Sequence, residues 1–100
     1  MSQSRIELAP EVREDFDRIL DHVDQYRVGN PAERIRENVE AIGVLGTNPL
    51  IGRPAGNGKR ELVIGRHPRG YVALYRYVSG IDTVLVLAIR AQREAGFGRE

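Results

Sequence analysis

The chain has 100 residues, enough for one domain built on a single core. Its 41% hydrophobic and 29% charged residues suit a globular fold, no apolar run approaches the roughly 20 residues that span a bilayer, and the absence of cysteine excludes disulfides and thiolate metal sites. Net charge is +1 but divided: residues 1–50 hold 6 basic and 10 acidic side chains, net −4, while residues 51–100 hold 9 and 4, net +5, which implies one face for a polyanion or an acidic partner.

The opening MSQSRIELAPEV lacks a signal-peptide core, so the expected compartment is the cytoplasm. Within it, SRIEL alternates apolar and polar residues and predicts a short strand over 4–8. Pro10 suits the first turn of a helix, and Val12, Phe16, Ile19, Leu20, Val23 and Tyr26 then recur at spacings of three and four. Glu11, Glu14 and Asp15 crowd its first turns, where the helix dipole favours carboxylates, and Gly29 ends it. The carboxylates Asp15, Asp17, Asp21 and Asp24 are expected on a solvated helix face. Asn30-Pro31 restarts the chain as an N-cap and first helical residue. Ala32, Ile35, Val39, Ile42 and either Val44 or Leu45 make a second apolar stripe, closed by Gly46 and Asn48-Pro49. Two helices so briefly linked form an antiparallel hairpin.

Residues 48–59, NPLIGRPAGNGK, read as a loop and lack the Gly-Lys-Ser/Thr of a phosphate cradle. Three strands follow. RELVIGR (60–66) leads to His67-Pro68-Arg69-Gly70, the signature of a type I turn. YVALYRYV (71–78) places Tyr71, Ala73, Tyr75 and Tyr77 on one face and Val72, Leu74, Arg76 and Val78 on the other. DTVLVLAIR (82–90) is apolar without interruption from Val84 to Ile89, which predicts a strand inside the sheet, covered on both faces. The expected architecture is a single α+β domain over 1–100 with two layers. A helical hairpin packs on an antiparallel sheet of three to four strands, in the order β-α-α-β-β-β. The opening strand returns by a helical crossover and can pair in parallel with one of the others. His22 and His67 share no motif, and no metal or cofactor is expected.

The order of elements and several stretches resemble the RelE/ParE family of toxins from type II toxin–antitoxin modules, including those of plasmid stabilisation systems. The resemblance covers about residues 4–97. It is carried by A-P-E-V-x-x-D-F-x-x-I at the first helix, N-P-L-I-G-R-P after the hairpin, K-R-E-L opening a strand, G-Y-V-A-L-Y-R-Y in the next, and V-L-V-L-A-I-R-A-Q-R-E closing the sheet. It implies a growth inhibitor held silent by a cognate antitoxin. ParE-like members inhibit DNA gyrase by binding; RelE-like members cleave mRNA on the ribosome.

Cleavage without a metal needs groups that move protons. Arg60, Arg76, Arg90 and Arg93 could stabilise a developing negative charge, but arginine is a poor general base. Only Lys59 is a lysine, against 14 arginines. Val72 stands where RelE-like members tend to carry an arginine, and the late aromatic, Phe97, has no hydroxyl. The sheet tyrosines Tyr71, Tyr75 and Tyr77 read as packing residues. The sequence therefore favours a protein-binding inhibitor of ParE type, with ribosome-dependent mRNA cleavage as the alternative. A rigid strand end would project Arg90, Arg93 and Phe97 as target-binding anchors. The antitoxin, a partly disordered acidic chain, would meet Phe16 and Leu20 on the first helix or the edge strand with Arg60, Leu62 and Ile64.

Overall fold

The computed structural model describes residues 3–26, 31–65 and 70–92, with the side chains of 19–26, 31, 32 and 34 outside that description. Strand β1, Arg5–Leu8, leads through Ala9 and Pro10 into helix α1, Glu11–Tyr26. Helix α2 is Pro31–Gly43 and tightens into a 3₁₀ turn at Val44–Gly46. Strands β2 (Arg53–Pro54), β3 (Lys59–Ile64), β4 (Tyr71–Val78) and β5 (Thr83–Ala91) complete the domain. Gly29 and the His67–Gly70 turn expectation fall wholly or largely outside the described residues.

The strands form one sheet in the order β1-β5-β4-β3-β2. β1 pairs in parallel with β5, from Arg5 opposite Thr83 to Leu8 opposite Val86, and every other pairing is antiparallel. The two-layer α+β expectation holds, with one strand more than the three or four expected and a mixed sheet. The additional strand is β2, inside the stretch read as loop. A two-residue hairpin turn makes it: Asn57 and Gly58 sit at φ 54° and 75°, and the Lys59 N–H donates to Gly56 O at 3.0 Å. That is the primed turn whose twist matches paired strands.

Both helices pack on one face. Val12, Ile42 and Leu45 meet Ile64, Tyr71, Ala73, Tyr75, Val84, Val86 and Ile89, with Phe16 and Leu62 half-buried around them. The tyrosine face expected of β4 is therefore the core face. In α2 and the 3₁₀ turn after it the inward stripe is Ile35, Asn38, Ile42 and Leu45, at spacings of three and four, so Asn38 is buried where Val39 was expected and Val39 and Val44 are exposed. α1 differs in the same way. Asp15 follows Val12 by three residues, shares its face, and is only 2% exposed rather than solvated; Asp17 is exposed. β5 is interior to the sheet as expected, between β1 and β4. Among the described residues, however, helices cover only one of its faces.

Candidate protein-binding face

The face away from the helices can be built row by row, because residues opposite each other across strands point the same way. The register sets Lys59, Arg76, Leu85 and Glu7 in one row, Glu61, Leu74 and Ala88 in the next, and Val63, Val72 and Arg90 in a third. Arg53, opposite Glu61, and Arg5, opposite Thr83, lie on the same side. Val72, Leu74 and Ala88 are buried along the middle, with cations around them. Of the two carboxylates on this face among the described residues, Glu7 and Glu61, Glu61 is paired with Arg53 at 3.1 Å. The result is a rim of cations around a buried apolar centre, suited to an acidic protein segment or a phosphate backbone.

Arg90 reaches this face through a β-bulge. Pairing passes from Leu74 opposite Ala88 to Tyr75 opposite Val86, so Leu87 is an extra residue in β5. Before it, Val84 and Val86 face the helices; after it, Ile89 and Ala91 do. Unbroken alternation from Val86 would drive Ala88 and Arg90 beneath the helices. The bulge shifts the phase by one and turns Arg90 out, opposite Val72. The same shift explains the uninterrupted apolar run, since even and odd positions take the core side in turn. The Arg90 guanidinium lies back along the strand end, where Nη1 donates to Ala91 O at 3.1 Å and Gln92 O at 3.3 Å. Arg93 and Phe97, expected beside it, lie outside the described residues.

The four arginines considered for phosphate chemistry do not all converge. Arg76 and Arg90 share the open face. Arg60 stands opposite Tyr75 and so lies on the helix side. There its Nη1 donates to Leu50 O at 3.1 Å and to Gly52 O at 2.7 Å, stapling the preceding loop. Arg76 Nη2 donates to Asn57 O at 2.8 Å. Tyr71, Tyr75 and Tyr77 all point to the helix side, away from Arg76 and Arg90. The Tyr75 hydroxyl is buried and accepts the Gly52 N–H at 2.8 Å.

Of the residues expected to meet an antitoxin, Phe16 and Leu62 are half-buried against the core and Ile64 is within it, while Leu20 is among the side chains outside the description. What β3 offers a partner is its edge. β2 covers it at Arg60 and Glu61. Lys59 bonds across that edge, its N–H to Gly56 O and its O to the Ala55 N–H. Alternation turns the N–H and C=O of Val63 to the same edge, beyond the end of β2, and the Val63 side chain is 46% exposed.

At the opposite end of the sheet Ser4 Oγ and the Tyr77 hydroxyl both donate to Asp82 Oδ1, at 2.6 and 2.7 Å. The Ser4 bond first, and then the Tyr77 bond, hold the Asp82 carboxyl below its ordinary range. The Asp82 bond in turn raises the Tyr77 hydroxyl. This network ties β1 to the β4–β5 turn, with backbone support from the Arg5 N–H on Asp82 O at 3.0 Å. A second network joins α1 to β5: Asp15 Oδ2 accepts the Ile89 N–H at 2.9 Å. The sequence reading set Asp15 on the solvated face of α1, although its helical phase, three residues after Val12 and beside Phe16, points it inward.

Comparison with known proteins agrees with this architecture. Two solved structures share the fold. The chromosomal ParDE toxin–antitoxin system of P. aeruginosa matches with a TM-score of 0.73 and 23% identity over 89% of this chain and 96% of that one. The toxin–antitoxin complex RelBE2 of Mycobacterium tuberculosis matches with a TM-score of 0.65 and 20% identity over 94% and 97%. No curated protein matches the sequence. The family model described as the ParE toxin of the type II toxin–antitoxin system parDE matches residues 6–96. A match over that span, on a chain of this fold, places the protein in the ParE toxin family of type II toxin–antitoxin systems.

Proposed function

We propose that this chain inhibits growth by binding an essential target through the open sheet face and the end of β5, with DNA gyrase as that target, and that a cognate antitoxin silences it. The observation that carries the reading is the bulge at Leu87, which spends a residue of the central strand to bring Arg90 out of the core side and onto the basic face. Bulges that re-aim a side chain concentrate at functional sites. Arginine on a rigid strand is a strong interface anchor because little freedom is left to lose on binding. Binding rather than mRNA cleavage is supported by the separation of groups: the sheet tyrosines face the helices, and Arg60 is engaged with loop carbonyls. Antitoxin binding is supported by the open edge at Val63 beside that face, where an extended acidic chain could add a strand and cover the cations. Two solved structures that share this fold are toxin–antitoxin systems.

The test is a pair of assays on refolded protein freed of antitoxin: supercoiling of relaxed plasmid by gyrase, and primer extension on mRNA in a translating extract. Loss of supercoiling with intact mRNA is expected, and Arg90→Ala should restore supercoiling. Codon-phased cuts in the mRNA, with gyrase unaffected, would replace this reading with ribosome-dependent cleavage.

A further inference from the structure

β1 accompanies β5 only as far as Val86, whose carbonyl takes the Ala9 N–H at 2.8 Å. Beyond the bulge the β1 side of β5 continues with no strand beside it among the described residues. The next residue to present both backbone groups there is Ile89, and two side chains of α1 meet them. Asp15 Oδ2 accepts the Ile89 N–H at 2.9 Å, and Arg18 Nη2 donates to Ile89 O at 3.0 Å. The pair is closed on itself by Arg18 Nη1 on Asp15 Oδ1 at 3.1 Å. A carboxylate and a guanidinium one helical turn apart thus supply the acceptor and donor that a neighbouring strand would supply. The Asp15 side chain is 2% exposed and that of Arg18 46%, so the clamp runs from the core to the rim. Charge-assisted bonds of this kind are stronger than the neutral ones they replace.

Ile89 is the residue before Arg90 and two after the bulge. A bulged strand is where a ladder is locally weakest. The clamp grips the strand there, along its β1-side edge, while the Arg90 side chain emerges on the open face. We propose that Asp15 and Arg18 are positioning residues for Arg90: they fix the phase of β5 past the bulge, and so keep the target-binding arginine on the open face. The proposal rests on the reading of the β5 end as the target-binding surface.

The test uses the full chain and three readouts: growth arrest from a titratable promoter in cells without antitoxin, affinity for the antitoxin, and amide exchange at Ile89. Arg18→Gln is the main variant because its side chain is at the rim; Asp15→Asn is the stronger one. Arg18→Gln should speed Ile89 exchange about tenfold and raise the inducer needed for arrest by about the same factor, with antitoxin affinity changed by no more than about twofold. Arg18→Lys, which can reach one oxygen but not both, should fall between. Tyr75→Phe, on the helix side of the sheet, removes a buried acceptor and sets the effect of plain destabilisation. Arrest unchanged while Ile89 exchange rises, or weakened equally by Tyr75→Phe, would reduce the clamp to a structural role and overturn the proposal. Unchanged exchange at Ile89 would overturn it too. Arg90→Ala separates the two layers of argument: full arrest by that variant removes the target-binding reading itself, and the positioning role with it.

Discussion

Gly52 and Tyr75 fit each other so closely that neither can be changed alone. A Cβ on Gly52 would stand 2.7 Å from Tyr75 Cε1 and from its hydroxyl, and 2.8 Å from Glu61 O. Backbone and a fully buried ring cannot give way cheaply, so Gly52→Ala should cost about 2–3 kcal/mol, read as a lower urea midpoint at unchanged slope. Tyr75→Phe keeps the ring but leaves the buried Gly52 N–H without its 2.8 Å acceptor. It should cost about 1–3 kcal/mol, the desolvation penalty of that group. A value near zero would mean that another acceptor takes over. The Gly-Arg-Pro and Gly-Tyr stretches of the sequence are explained by contacts of this type: a Cβ on Gly70 would meet Ile64 O at 2.5 Å and the Gln92 side chain. Asp82 makes a different prediction, in pH. Its carboxyl is held below the ordinary value by Ser4 and Tyr77, so the stability it contributes is present above the unfolded value of about 3.9 and is lost as pH falls through the lower folded value. Tyr77 is raised, so its contribution is present below about 10 and is lost as pH rises through the higher folded value. Asp82→Asn should narrow the gap to the parent chain as pH drops below about 4, and asparagine tolerates the φ of 48° found there. A gap that stays constant from pH 7 to pH 3 would show that the charge on Asp82 is not what the two hydroxyls stabilise.

Elements whose cause is local periodicity were legible, and those whose cause is a long-range partner were not. Both helices, β1, β3 and β4 follow from spacing, β5 follows from its unbroken apolar run, and Pro31 opens α2 where the Asn30-Pro31 pair predicts. β2 was missed although Asn57-Gly58 is a hairpin signal, because the pair sits among two other glycines and two prolines that read together as loop. The turn makes a direct prediction. Gly58 has φ 75°, so Gly58→Ala should cost about 1–2 kcal/mol and speed amide exchange in β2 and β3 rather than in β5. Equal exchange in all strands would mean that the hairpin has no stability of its own. The bulge was invisible for a different reason. A run apolar at every position carries no phase, so nothing in Val84–Ile89 shows where even positions hand the core to odd ones. Only the register with β4 sets Arg90 on the open side. Asp15 failed as a solvated residue because its partner, the Ile89 N–H, lies 74 positions away. The basic candidates were half legible: Arg76 and Arg90 share a face, while strand parity alone places Arg60 on the other.

On the scale of the whole molecule, the charge division between the halves of the chain becomes a division in space. The acidic half supplies the helices, whose exposed residues include Glu11, Glu14, Asp17, Glu33, Glu37 and Glu40. The basic half supplies four of the five strands, and the open face of the sheet carries their Arg53, Lys59, Arg76 and Arg90. A small domain with one acidic side and one basic side orients an approaching acidic partner before contact, which raises the association rate more than the final affinity. Arg76 is the residue to probe, being exposed on that face and removed from the strand end that carries Arg90. Arg76→Glu should slow association with the antitoxin roughly tenfold at about 0.05 M salt, with a much smaller change in dissociation. The difference should close toward 1 M salt, where the Debye length is only about 3 Å. Glu37→Lys, on the helix side, should leave the rate nearly unchanged, as expected of a partner that docks on the sheet face. If both reversals slow association alike, net charge rather than the arranged face governs encounter. If neither does, the antitoxin is drawn in by apolar contact at the β3 edge, where Val63 is exposed, and the cations serve the target alone.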